Sequence, residues 1–210
     1  DKTIVVNCNS EQTARQTVAV LRLLGYDAVS VNGGLGTAGN GTIGYDKHYD
    51  TVSRTAELAE AHLANIPANN YMIGAADVFT MIENQEDMFI LDVRQADVYA
   101  EGHLKGAVNV PWGPDFAEGI VDLPANKPVL VYCYTGQTAN QVNASLNILG
   151  YDSKSIKYVW VKGISVTEGY EAYTETEAND FGDTQALEVN ASVYEAVKSY
   201  FKALADTTIK

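Results

Sequence analysis

Residues 1–27, DKTIVVNCNSEQTARQTVAVLRLLGYD, align without a gap on residues 126–152, NKPVLVYCYTGQTANQVNASLNILGYD, at a constant offset of 125 positions. Cys8 falls on Cys133, Gln12-Thr13-Ala14 on Gln137-Thr138-Ala139, and Leu24-Gly25-Tyr26-Asp27 on Leu149-Gly150-Tyr151-Asp152. Chance rarely holds one register over such a length, so the chain reads as an internal duplication of a single supersecondary unit. In the second copy the unit is legible from its residues. A short apolar run of β type, 129–132, ends on Cys133, and a small polar loop follows at 134–138. Val142, Leu146 and Leu149 then recur at helical spacing, with Gly150 at the place of a C-cap. A strand that delivers a cysteine to a loop opening a helix aims amides and the positive end of the helix dipole at the sulfur. That setting favours a thiolate or a bound anion. The repeat is expected to continue into strands at 28–31 and 158–161, each followed by glycine.

Between the copies the pattern alternates. Residues 51–64 suit an amphipathic helix, the region of Pro67 a linker, and 75–84 a second short helix. Phe89-Ile90-Leu91 reads as a buried strand running into Asp92-Val93-Arg94; 95–101 reads as a short helix, and 103–110 leads to a strand before Pro111-Trp112. Strands and helices in turn, with short connections, predict an α/β fold on a parallel sheet. The glycine-rich stretch 33–49 lacks a Gly-Lys-Ser/Thr ending and follows no new strand–helix pattern, so it reads as a loop rather than a phosphate cradle. Residues 168–188 are acidic and weakly apolar, an expected surface excursion. A helix over 192–205 carries Val193, Val197, Tyr200 and Phe201 on one face.

Charge narrows the partners. Fourteen Lys and Arg against 27 Asp and Glu give a net charge of −13, which argues against nucleic acid or an anionic membrane surface. An anionic substrate would have to be held by a local arrangement. No run of eighteen apolar residues exists, so no membrane span is expected. Two cysteines 125 positions apart make neither a disulfide framework nor a zinc site, and His48 and His62 have no companions at ligand spacing. No metal or cofactor is expected. The start at Asp1 without an initiator methionine reads as a processed product or an excised fragment. The acidic, lysine-poor composition leans toward an exported or cell-envelope protein, with the cytoplasm still open.

Several motifs now combine. Leu91-Asp92-Val93-Arg94, Tyr99, Gly102-His103-Leu104-Lys105-Gly106-Ala107, Asn109-Val110-Pro111 and the Cys133 loop together resemble a rhodanese domain over about residues 70–165. The resemblance implies a five-stranded parallel sheet with helices on both faces. It also implies a sulfurtransferase in which Cys133 accepts a sulfane sulfur as a persulfide and passes it to a thiol or to cyanide. The persulfide loop would be Tyr134, Thr135, Gly136, Gln137 and Thr138, with Gly136 letting the chain curl. Asp92 and Arg94 are expected as a structural ion pair near the site, and His103 as a structural hydrogen-bonding histidine.

The loop departs from the thiosulfate-active pattern. It is wholly neutral, Thr138 replaces the family's usual loop-ending arginine or equivalent, and Val98 stands where some thiosulfate enzymes have a substrate-binding arginine. Thiosulfate is therefore not the expected donor; a neutral, low-molecular-weight or protein-bound one is. A cysteine phosphatase is excluded because the sixth residue after the cysteine is Ala139, where an arginine would be needed to hold the phosphoryl group. In the first copy Glu11 replaces the loop glycine, a charge that disfavours a thiolate on Cys8. The equivalent of residues 89–111 is missing before Cys8, so that copy reads as scaffold. It would be completed by an upstream half, or by the C-terminal helix region and a partner chain through self-association. The expected division is a partial unit with linker helix at 1–66, a complete rhodanese-like domain at 67–170, and an acidic segment with a helix at 171–210. The alternative function is a catalytically inactive binding or regulatory module on the same fold.

Overall fold

The computed structural model describes residues 2–8, 12–30, 54–182 and 185–206. The glycine-rich stretch 33–49 and Glu11 lie outside the described residues.

Strand β1 (Ile4–Val6), helix α1 (Gln12–Leu23) and strand β2 (Ala28–Ser30) open the chain, with the two strands parallel and Ile4 paired to Ala28. Helix α2 (Arg54–Ala64) follows, then β3 (Met72–Ile73), α3 (Ala75–Glu83), β4 (Phe89–Asp92), α4 (Ala96–Glu101), β5 (His103–Leu104) and β6 (Ala107–Asn109). A short α5 (Phe116–Gly119) leads to β7 (Val129–Tyr132), α6 (Gln137–Leu149) and β8 (Ser153–Ile156). After a π-helical turn at Val159–Gly163 come β9 (Thr174–Glu175) and the long α7 (Ala191–Asp206).

Five of these strands form one parallel sheet in the order β3-β8-β7-β4-β6, flanked by helices. Every residue of β4 and β7 is buried, which is why Phe89-Ile90-Leu91 and Val129-Leu130-Val131-Tyr132 read as apolar runs rather than alternating ones. From β4 the chain crosses to β6 on one side, and from β7 to β8 on the other. The switch of direction therefore falls between neighbouring strands β4 and β7, the place where open α/β sheets form their binding crevice. Cys133 directly follows β7 there.

The expected strand at 158–161 is corrected. The strand is β8, Ser153–Ile156, while Tyr158 and Val159 take left-handed φ angles of 59° and 47° and open the π-helical turn. Its sequence, Ser-Lys-Ser-Ile, hid it, because the inward residues are serines. Ser153 and Ser155 are fully buried, and the Ser153 hydroxyl donates to Asn143 Oδ1 at 2.8 Å. The corrected strand tightens the internal correspondence. Val129 pairs with Ser153 as Ile4 pairs with Ala28, both 125 residues on. The Val129 amide donates to Asp152 O at 2.8 Å as the Ile4 amide does to Asp27 O at 2.7 Å, and Gly150 (φ 107°) closes α6 as Gly25 (φ 87°) closes α1.

The main core runs through the sheet and takes in Ala19 and Val20 of α1, Ala59 of α2 and Val193, Val197, Tyr200 and Phe201 of α7. Those three helices cover the outer face of α6. That cover explains an otherwise odd burial pattern: Asn140, Gln141, Asn143 and Ser145 of α6 are as buried as its leucines. The polar groups find partners within the layer. Asn143 Nδ2 donates to Tyr71 O at 3.3 Å, Ser145 Oγ to Gln141 O at 3.0 Å, and Gln16 Nε2 of α1 to Asn140 Oδ1. The acidic segment runs as a strap along the opposite flank. Thr174–Glu175 pairs antiparallel with His103–Leu104, and Phe181 stacks on Phe89 with ring centres 5.5 Å apart.

Candidate active site

The sheet ends Val129-Leu130-Val131-Tyr132 at Cys133, which is 3% exposed. Gly136 takes a left-handed φ of 94° as the N-cap of α6, a conformation that glycine adopts without penalty. The curl turns the Gly136 amide back so that it donates to Cys133 Sγ at 3.0 Å. Thirteen residues of α6 stand behind that amide, so the positive end of the helix dipole points at the same sulfur. Tyr134, at 47% exposure, and Thr135 form the open rim of the loop; Gln137 and Thr138 lie half-buried in the first helical turn. No lysine, arginine or histidine belongs to residues 133–138, so the attraction for an anion there is made of backbone dipoles.

The loop is tied from the side. Trp160 N–H donates to Cys133 O at 3.1 Å and Val161 N–H to Tyr134 O at 3.2 Å. Both donors come from the π-helical turn, which places its backbone against the loop where a strand would have carried it past. Its cost is visible at Val159, a β-branched residue at positive φ.

Beneath the loop Asp92 and Arg94 form a buried pair. Arg94 Nη2 meets Asp92 Oδ2 at 2.6 Å, Nε lies 3.1 and 3.0 Å from the two carboxylate oxygens, and the Arg94 amide donates to Oδ1 at 2.9 Å. Nη2 also donates to Gly102 O at 2.7 Å. The guanidinium lies 4.0 Å from the Trp160 ring centre, so one side chain links the ion pair to the turn that holds the cysteine loop. Burial pulls the Arg94 pKa down, and the hydrogen bond and charge of Asp92 more than reverse that, leaving it raised. With Nε and Nη2 of Arg94 directed at Asp92 and at Gly102 O, the pair stiffens the end of β4. Asn109 Nδ2 completes this corner by donating to Asp92 O and Arg94 O, each at 2.9 Å.

His103 lies elsewhere. It is fully buried, with Nδ1 2.9 Å from Tyr99 O and Nε2 2.9 Å from Glu177 O, and its ring stacks on Tyr99 at 3.6 Å. These contacts fasten the acidic strap to α4 and β5 and do not reach Cys133. Cys8, the other thiol, follows β1 and is half-buried, and its Sγ accepts the Ala14 amide at 3.3 Å.

Two contributors were not singled out in the sequence. Trp160 is an aromatic within an apolar stretch, and nothing local marks it as the clamp of a loop 27 positions earlier. Gln12 comes from α1. It is 4% exposed, and its side chain lies flat on Gly136: a β-carbon there would stand 2.5 Å from Gln12 Nε2, 3.1 Å from Cγ and 3.2 Å from Cδ. Its pairing with the loop depends on how α1 packs on α6. Among the described residues no cluster of three His, Cys, Asp or Glu could hold a metal ion, and no helix is long and apolar enough to cross a membrane.

Residues 75–175 match the family model described as the rhodanese-like domain. The matched stretch carries the Cys133 loop and four of the five strands of the parallel sheet, β4, β6, β7 and β8, with β3 just before it. Solved structures similar to the chain include a protein of Bacillus halodurans at 20% identity, covering 61% of this chain and 93% of that one, with a TM-score of 0.44. A rhodanese-related protein of Thermoplasma volcanium is 24% identical, covering 50% of this chain and 98% of its own, at a TM-score of 0.39. A rhodanese-like domain protein of Staphylococcus aureus is 18% identical over 45% and 87%, at 0.40. No curated protein matches the chain.

Proposed function

We propose that the rhodanese-like domain is a sulfurtransferase that carries a sulfane sulfur as a persulfide on Cys133. The observation that carries the reading is the Gly136 amide, donating at 3.0 Å to Cys133 Sγ from the N-terminus of α6. A thiolate is the form that such a donor and dipole stabilise, and it is the nucleophile that sulfur transfer needs. In the first step the Cys133 thiolate attacks the outer sulfur of a donor persulfide. The Sγ–S bond forms, the donor's S–S bond breaks, and the donor leaves as a thiolate with the electron pair. In the second step an acceptor thiolate or cyanide attacks that outer sulfur, and the Cys133 thiolate is the leaving group.

The neutral loop and the commitment of Arg94 to Asp92 and Gly102 speak for a small neutral or protein-bound donor over thiosulfate. The first β1–α1–β2 unit serves as scaffold: it shares strand register, the first helical residue and the closing glycine with β7–α6–β8, and this supports its reading as a partial copy of the domain. A strand equivalent to β4, from another segment or from a second chain, would pair with the side of β1 that is unpaired among the described residues. The competing reading, a binding or regulatory module, is favoured by one observation, the 3% exposure of Cys133.

Incubating the reduced protein with glutathione persulfide and measuring intact mass separates the two. A gain of one sulfur atom, mapped to Cys133 and removed by cyanide as thiocyanate, is the expected result. Cys133→Ser is expected to take up none at that position. A fully reduced protein that gains no sulfur at Cys133 from glutathione persulfide, polysulfide or thiosulfate would leave the binding module standing.

A further inference from the structure

Gly136 is engaged on three sides. Its amide donates to Cys133 Sγ at 3.0 Å, its carbonyl accepts Asn140 Nδ2 at 2.6 Å, and its α-carbon is covered by the side chain of Gln12. Gln12 belongs to α1, more than 50 residues before the first residue of the matched domain. One turn along α1, Gln16 bonds Asn140 Oδ1 and lies 3.4 Å from Asn70 O, a separate polar contact of the same helix. The two glutamines differ in one respect. Gln16 has partners, whereas the buried Gln12 Nε2 has no hydrogen-bond acceptor among the described residues. A buried donor without a partner carries a desolvation penalty, and such a group calls for an acceptor. The sulfur on Cys133, which accepts the amide of the glycine that Gln12 covers, is the group of this loop that gains negative charge in the proposed chemistry.

We propose that Gln12 is a positioning residue supplied to the Cys133 site from outside the rhodanese-like domain. Its side chain clamps Gly136 in the conformation that turns the amide onto the sulfur, and its carboxamide N–H is the donor that meets sulfur carried on Cys133. The second half of this proposal rests on the sulfurtransferase reading; the clamp does not. The arrangement makes the N-terminal unit part of the site, and it accounts for selection of a neutral donor group, since a carboxamide supplies a hydrogen bond without a counter-charge.

The test compares Gln12→Glu, Gln12→Leu and, as a control for helix docking, Gln16→Leu, all in the full chain. Two quantities are read on Cys133 by site-resolved mass spectrometry: the rate of iodoacetamide alkylation at pH 7 relative to pH 10, and the lifetime of the persulfide after loading. Gln12→Glu places a carboxylate beside the forming thiolate, and a shift of one unit in its ionisation would lower the relative alkylation rate about tenfold. Gln12→Leu keeps the bulk and removes the donor, so the persulfide is expected to decay several-fold faster, while Gln16→Leu leaves both readouts near those of the parent. If Gln12→Leu does not fold, Gln12→Glu, which keeps the native shape, carries the test alone. An unchanged alkylation ratio in Gln12→Glu overturns the proposal. So does a Gln16→Leu protein that shows the same changes, because the effect would then be loosened packing. If the parent protein takes up no sulfur, the sulfurtransferase reading fails, and the alkylation ratio still decides whether Gln12 acts on the loop.

Discussion

Replacing Gly136 with alanine tests whether α1 is seated on the cysteine loop, and its size follows from two separable effects. The first is conformational. At a φ of 94° an alanine β-carbon crowds the following carbonyl, a strain of about 1–2 kcal/mol. The second is a collision. The new methyl group would stand 2.5 Å from Gln12 Nε2 and 3.1 Å from Cγ, and Gln12 is buried, so it must push back through packed surroundings. Forcing an extra methyl into such packing costs about 1–3 kcal/mol. The substitution is thus expected to destabilise the parent protein by about 2–5 kcal/mol, but a Gln12→Ala protein by only about 1–2 kcal/mol. The assay is a double-mutant cycle on urea midpoints, accepted where the four proteins share one m-value. The coupling should favour the double variant. A Gly136→Ala loss equal in both backgrounds, within about 0.5 kcal/mol, would refute the contact between α1 and the loop.

Two further perturbations probe the surroundings of the site. Asp92→Ala leaves Arg94 buried with Gly102 O and the rings of Trp160 and Tyr132 beside it; breaking a buried pair in this way is expected to cost about 3–5 kcal/mol in chemical denaturation, and a loss below about 1 kcal/mol would contradict the pair's structural role. His62, buried in α2 and stacked on Tyr71 at 4.9 Å, has its pKa lowered by burial. The unfolded chain therefore binds the proton first as pH falls through the ordinary histidine range, and this group's share of stability is lost from about pH 6.5 downward. His62→Phe keeps the stacking and should flatten the fall in thermal midpoint between about pH 6.5 and 5; an unaltered slope would show that His62 does not supply it.

What the residues determined by themselves is local. The strand–cysteine–loop–helix unit at 129–149 could be read because each part has its own signal: an apolar run, a glycine for the curl, apolar residues at helical spacing and a terminal glycine. The gapless match to residues 1–27 was legible for the same reason, since identity of sequence needs no structure to be seen. The helix over 192–205 announced its buried face through Val193, Val197, Tyr200 and Phe201, all of which are buried. Strand β8 was misplaced because two of its inward side chains are serines, and the partner that satisfies Ser153, Asn143 of α6, is met only in the folded chain. Packing alone decided three further matters. It turned the polar face of α6 into interior, by laying α1, α2 and α7 over it. It brought Trp160 round to hold the loop carbonyl, through a turn that Val159 enters against its own preference. It also set Gln12 on Gly136, across 124 positions of sequence. A helix propensity or a motif describes what a segment does with its own neighbours. Which glutamine covers which glycine depends on how two helices meet, and that is fixed only when the whole core closes.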